Sequence, residues 1–196
     1  MNEILVLYYS RFGATEALAR EVCLGIDSVT AAAARLRTVP ALSAVTAAPD
    51  ANPPEKGPPY VIAKDLHECG GLVMGSPTRF GNMAAPLKYF IDGTGTEWAK
   101  GTLNSKPAGV FTSTSTLHGG QETTLLTMAL PLLHHGMFLV GIPFTESALS
   151  STMTGGSPYG ASHVTWNRDA DYLSDEERKI ARTLGTRVAS LAVKLS

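Results

Sequence analysis

Residues 76–82, Ser-Pro-Thr-Arg-Phe-Gly-Asn, set hydroxyls, a guanidinium, an aromatic ring and a glycine directly after the apolar run 71–75. Such a turn suits a flat ring with polar edges. Backbone amides and Thr78 can bond the edge, Phe80 can cover a face, and Gly81 lets the main chain approach closely. A bare phosphate would need none of that aromatic surface. A second turn, Ser10-Arg11-Phe12-Gly13-Ala14-Thr15, joins an apolar run to a helical pattern. The open N–H groups and dipole of a helix start attract an anion, and Ser10, Gly13 and Thr15 could wrap phosphate oxygens; a plain strand-to-helix turn would use the same residues. Neither the Walker spacing nor the three-glycine Rossmann spacing occurs. A third stretch, Ser113-Thr114-Ser115-Thr116-Leu117-His118-Gly119-Gly120, is dense in hydroxyls and ends on glycines.

These turns need strands behind them and helices after them. The run 4–9 is continuously apolar, the signature of a strand covered on both faces and hence of a parallel sheet. Leu18, Val22 and Ile26 give one buried stripe on a helix starting near Thr15. Further strands are expected at 35–39, 72–75, 107–113 and 137–142, with helices over 84–91 and 121–134 and a loop at 93–98. Six of the twelve prolines fall between Pro40 and Pro59, which favours an irregular excursion near 40–64. Residues 143–173 show no clean period and read as a long loop with fragments of structure. Ser174 and Glu177 make a capping-box pair, and Ile180, Leu184, Val188, Leu191 and Leu195 continue a helical stripe to the end. The alternation predicts one α/β domain over 1–196, a three-layer doubly wound sandwich on a five-stranded parallel sheet in the flavodoxin-like order 2-1-3-4-5. In that order the turns after strands one, three and four converge on one sheet edge.

Composition narrows the function classes. Sixteen basic and seventeen acidic residues give a formal charge of −1 without long runs, which argues against a nucleic-acid or membrane-surface binder. The basic cluster Arg178, Lys179, Arg182 and Arg187 reads as a solvated helix face. Cys23 and Cys69 lack metal or redox spacing and read as packing residues, a usage that fits a reducing cytoplasm. No apolar run approaches the ~18 residues of a membrane span, so a soluble, cytoplasmic protein is expected.

With Val6-Leu7-Tyr8-Tyr9-Ser10, Pro77-Thr78-Arg79-Phe80-Gly81-Asn82-Met83, Gly119-Gly120-Gln121-Glu122, His134-His135-Gly136-Met137, Pro158-Tyr159-Gly160 and Leu191-Ala192-Val193-Lys194-Leu195, the chain resembles, over nearly its whole length, the flavodoxin-like WrbA family of FMN-dependent NAD(P)H:quinone oxidoreductases. The resemblance implies that Ser10, Arg11, Phe12, Gly13, Ala14 and Thr15 hold the FMN phosphate. It implies that Thr78, Arg79 and Phe80 follow the isoalloxazine, and that Ser113, Thr114, Ser115, Thr116 and Gly119 approach the ring edge or ribityl chain. His134 would contact the flavin pocket, and Trp98 matches an aromatic residue of a quinone site assembled between subunits of a homotetramer. NADH or NADPH would be the electron donor, a quinone the acceptor, and no metal is implied. Two departures stand out: Phe12 replaces the family's usual tyrosine, and the segment 115–118 is one residue longer than the common form.

Taken alone, adjacent His134 and His135 point about 100° apart on a helix and cannot be assumed to share a metal; a helix C-terminus favours histidine in any case. His67, His118 and His163 read as solvent-facing. Trp98, in a polar loop, must return to a core, meet another subunit or flank a pocket. A flavodoxin-type single-electron carrier is the main alternative function, although such carriers are commonly strongly acidic. A regulatory interaction module is a third, with no DNA-binding motif to support it.

Overall fold

The computed structural model describes residues 1–42, 57–166, 169 and 171–196. Strands β1 (Asn2–Tyr8), β2 (Ala32–Thr38), β3 (Gly71–Pro77), β4 (Pro107–Thr114) and β5 (Phe138–Leu139) form a parallel sheet in the expected order β2-β1-β3-β4-β5. Ile4 to Leu7 are fully buried because β1 is central, paired with both β2 and β3.

Helices cover both faces. On one side Ile4, Val6 and Phe111 pack against Leu18, Val22 and Ile26 of α1 (Ala14–Asp27) and against Ile180, Leu184 and Val188 of the last helix, Asp175–Leu195. That last helix is α7, since α2 (Ala63–Glu68), α3 (Ala85–Asp92), α4 (Gly95–Ala99), α5 (Gln121–His134) and α6 (Ala148–Ser151) precede it. The other face joins Leu5, Leu7, Leu72, Met74 and Val110 to Leu87 of α3 and to Leu125, Met128 and Leu132 of α5. Successive strand side chains point to opposite faces, so a continuous apolar run feeds both cores. The α7 stripe is buried through Val188, but Leu195 at its end is exposed.

Several expectations change. The strand expected over 137–142 shrinks to 138–139, because Val140 is the last residue bonded to β4 and the Ile142 N–H turns to the Pro158 carbonyl. The chain returns as β6 (Ala161–Val164), which pairs with Phe111–Thr114 of β4 in parallel. The fifth sheet position is therefore split between β5 and β6, and 143–173 holds a fully buried strand that sequence periodicity did not reveal. The loop expected at 93–98 contains α4, whose first helical bond runs from the Trp98 N–H to the Thr94 carbonyl. The proline-rich excursion gives way at its end to α2 (63–68), anchored where Asp65 accepts from the Ile62 N–H and pairs with Arg35 and Arg37; residues 43–56 of that excursion lie outside the described residues. The basic cluster on α7 is not simply solvated: Arg178 and Arg182 pair with Glu21 of α1, and Lys179 with Glu146. Among the described residues no helix is long and apolar enough to cross a membrane.

Candidate functional site

The turns after β1, β3 and β4 meet at the carboxyl edge of the sheet, the place where doubly wound sheets hold ligands. They enclose a cavity of about 280 Å³ lined by Ser10, Arg11, Phe12, Ala14, Thr15, Pro77, Thr78, Arg79, Ser113, Thr114, Ser115 and Thr165. Among the described residues, two arginines and no carboxylate line it. No side chain caps α1, whose preceding residue Gly13 has φ 96°. A side chain at that φ would be strained, and the turn leaves the leading N–H groups of α1 open toward the cavity. Ser10 Oγ accepts from the Gly13 N–H at 3.1 Å, folding the turn back on itself. Thr15 and Ser113 are buried, and their hydroxyl oxygens lie 2.8 Å apart, joining the first and third turns at the cavity floor. Arg11 stacks over the Phe12 ring, 5.1 Å from its centroid. Cationic side chains, paired hydroxyls and an uncapped helix start fit a phosphate ester.

The second turn presents an aromatic ring. Arg79 and Asn82 exchange backbone hydrogen bonds of 2.8 and 3.0 Å, and the two residues between them are both left-handed, Phe80 at φ 52° and Gly81 at φ 76°. A bulky residue in that region costs about 1–3 kcal/mol and persists only where the surroundings impose it. Phe80 is fully exposed, so its strain secures no packing within the chain. The third turn touches the second: a Cβ at Gly120 would lie 3.4 Å from the Gly81 Cα. Thr78 Oγ1 shares a 2.6 Å hydrogen bond with Thr124 Oγ1. The longer segment at 115–118 is held by Gln121, whose Nε2 donates to the carbonyls of Thr116 and Leu117.

Thr165 also lines this cavity, and none of the turn motifs includes it. Thr165 reaches it because β6 pairs with β4, and its N–H donates to the Thr114 carbonyl at 2.9 Å. No local pattern could have placed it. Beneath that wall lies a second unanticipated feature. His163, expected in solvent, is 1% exposed, because it sits on β6 opposite Ser113 and faces α7. Its Nδ1 lies 2.9 Å from the Glu177 carboxylate, which also accepts from the N–H groups of Gly155, Val164 and Ser174. Burial by itself would raise the Glu177 carboxyl, but the His163 bond and the backbone amides of Ser174 and Val164 outweigh it and hold the group below the ordinary glutamate range. The capping box read from Ser174 and Glu177 is present, and the same carboxylate also fastens β6.

Trp98 and His134 stand apart from this cavity. They line another, of about 370 Å³, with Ile91, Asp92, Thr94, Gly95, Pro131 and His135. Trp98 is 56% exposed, and its indole N–H donates to the His134 carbonyl at 2.8 Å. The His134 side chain is exposed, whereas His135 is buried. Of the residues expected to hold the cofactor, Ser10, Arg11, Phe12, Ala14, Thr15, Thr78, Arg79, Ser113, Thr114 and Ser115 line the first cavity. Gly13 shapes its turn, Phe80 projects beside it, and Thr116, Gly119 and His134 do not line it.

Residues 6–147 match the model of a family described as NADPH-dependent FMN reductase. The chain is 39% identical over 199 aligned positions to a protein named NAD(P)H dehydrogenase (quinone) from Solidesulfovibrio magneticus (strain ATCC 700980 / DSM 13731 / RS-1), covering 98% of both chains. Among solved structures it superposes on a flavodoxin, WrbA-like protein from Agrobacterium tumefaciens with TM-score 0.68 and 21% identity, covering all of both chains. A flavodoxin from the domain Archaea gives TM-score 0.64 at 18% identity, covering 97% of this chain and 99% of that one. At such identities the structural likeness establishes the flavodoxin-like fold alone.

Proposed function

The chain belongs to the NADPH-dependent FMN reductase family, and from that premise we propose that it is an FMN-dependent NAD(P)H:quinone oxidoreductase of the WrbA branch, working by alternating substrates. The observation that carries the reading is the cavity at the uncapped start of α1, which has no carboxylate among its described lining residues, with an unshielded aromatic ring beside it. FMN fits that pairing, since its phosphate matches the cavity's donors and its ring system matches Phe80 and the polar backbone around it. Ser10, Thr15, Ser113 and the leading amides of α1 would hold the phosphate, and Arg11 and Arg79 would balance its charge. Thr78 and the turn at 79–82 would bond the ring edge.

Bound FMN supplies the capacity to accept a hydride from a nicotinamide and to give two electrons to a quinone. The chain's own residues bind, orient and shield the reactants. Phe80 would stack on a reactant and exclude water, while His134 would offer a hydrogen bond or proton to a quinone oxygen. Trp98 and His134 line a cavity separate from that of the phosphate-type turns. A second copy of the chain would bring the aromatic corner of one subunit over the ring held by another, in the homotetramer that the resemblance implies. Leu126, Leu130 and Leu133, exposed on one stripe of α5, support that reading, since contiguous exposed apolar surface marks association sites.

Anaerobic mixing of FMN-loaded protein with one equivalent of NADPH or NADH, followed by benzoquinone, tests the proposal. Full bleaching of the flavin absorbance and full recovery on adding the quinone are expected. Loaded protein left unreduced by either nucleotide overturns the enzyme reading in favour of an electron carrier.

A further inference from the structure

The corner carrying Trp98 is a closed ring of hydrogen bonds between α4 and the end of α5. The Trp98 backbone N–H donates to the Thr94 carbonyl at 2.9 Å. Its indole N–H donates to the His134 carbonyl at 2.8 Å. The Thr94 hydroxyl lies 3.0 Å from His135 Nε2, and the His134–His135 peptide closes the circuit. Thr94 and His135 are both buried, at 5% and 9% exposure, so this ring is the inner support of an indole that is itself half exposed.

The donors in the ring can be assigned. The single hydroxyl proton of Thr94 goes to the Ile91 carbonyl at 2.7 Å, so toward His135 the hydroxyl is an acceptor and Nε2 carries the imidazole hydrogen. The opposite nitrogen, Nδ1, is buried with no partner among the described residues. A second proton there would create an enclosed N–H with no acceptor, which is costly. Burial accordingly pushes the His135 imidazole below its ordinary value, Glu97 on α4 acts upward and neighbouring His134 downward, and Asp92 at the end of α3 lines the same cavity. His135 is thereby held as a neutral Nε2–H donor.

We infer that Thr94 and His135 are positioning residues for Trp98: their buried hydrogen bond fixes where α4 meets α5 and so sets the indole at the height a flat acceptor requires. The inference rests on the reading that Trp98 flanks the quinone, and it adds two buried residues from the wall of the cavity that Trp98 and His134 line. A misplaced stacking group weakens the encounter with the acceptor more than the chemistry performed elsewhere in the cleft.

The test uses the full-length FMN-loaded protein and Thr94→Val, which keeps the side-chain shape and removes the hydroxyl, with Thr94→Ser as the rescue. His135→Phe serves as a second variant that keeps a ring and removes the N–H, should Thr94→Val fail to fold. Trp98 and Trp166 are the two tryptophans of the chain, so a Trp166→Phe background leaves one indole N–H resonance to follow by nitrogen-15 NMR. Thr94→Val should move that resonance toward its solvent-exposed position and raise the benzoquinone KM about tenfold. Flavin reduction by NADPH should stay within about twofold of the parent, and Thr94→Ser should restore both readings. An unmoved indole resonance, or an unchanged quinone KM where Trp98→Ala itself impairs turnover, overturns the inference. If Trp98→Ala leaves quinone KM unchanged, the assignment of Trp98 to the quinone site falls instead, and with it the inference, which needs that assignment.

Discussion

The two faces of the sheet are finished differently. On the first, α1 and α7 cross so closely that a Cβ at Gly25 would lie 2.1 Å from the Arg182 carbonyl oxygen, and one at Gly185 2.2 Å from that of Val22. Glu21, itself buried, takes Arg178 and Arg182 at 2.8 and 2.6 Å across the same crossing. On the second face α5 buries Leu125, Met128 and Leu132 but exposes Leu126, Leu130 and Leu133, with Tyr89 of α3 and Trp98 of α4 also exposed. The chain seals its first face by itself and leaves on the second an apolar surface suited to a partner. The candidate site divides along the same line. The turn at 10–15 opens α1 on the sealed side, where the Thr15 and Ser113 hydroxyls join, and the aromatic corner lies on the open side.

The sharpest way to break this contrast is to unlock the sealed side. Glu177→Gln replaces a carboxylate that accepts from three backbone amides and His163 with an amide whose NH₂ faces those donors. The expected loss is about 2–3 kcal/mol of unfolding free energy, since buried donors left facing an NH₂ group go unsatisfied, measured by urea denaturation. The same carboxylate gives a pH signature. Its folded pKa lies below the ordinary value near 4.5, so its contribution is complete above that value and is lost as pH falls through the depressed one. Acid should therefore destabilise the parent protein more than Glu177→Gln. Equal acid sensitivity would mean that Glu177 does not lock β6 to α7.

A smaller effect is expected at the helix crossing. Gly185→Val would push α7 off α1 at a loss of about 1–3 kcal/mol by overpacking, with more if the backbone must yield, and the midpoint of thermal unfolding would report it. A fully stable variant would show that the crossing can open. Smallest in stability but largest in assembly is Leu130→Glu on the open side. Folding free energy should stay within about 0.5 kcal/mol, as for exposed substitutions. Light scattering should then show the proposed homotetramer shifted toward monomer, because a charge in an apolar contact is costly to desolvate. An assembly mass unaltered by the substitution would remove α5 from the interface.

The central strands and the helices α1, α3, α5 and α7 were legible because each carries a dense local pattern: a continuous apolar run at 4–8, a four-residue stripe at 18, 22 and 26, and a capping pair at 174 and 177. β6 was not legible, since Ala161, Ser162, His163 and Val164 have no strand period and become a strand only because the exposed edge of β4 accepts them. His163 shows the same limit. An isolated histidine reads as solvent-facing until Glu177, fourteen residues on, is folded against it. The cavity-lining turns were found from hydroxyl, glycine and aromatic content, whereas Thr165 carried no such mark.

The order of residues by itself determined the alternating α/β plan and the three turns rich in hydroxyls and glycines, because these rest on short-range patterns that any chain with these side chains must express. Tertiary structure alone decided that the fifth sheet position is shared by two distant segments, that one buried carboxylate ties β6 to α7, and that Trp98 is braced by Thr94 and His135 away from the phosphate-type cavity. Those features depend on contacts between residues many positions apart, and such contacts acquire their energy only when the intervening chain has packed.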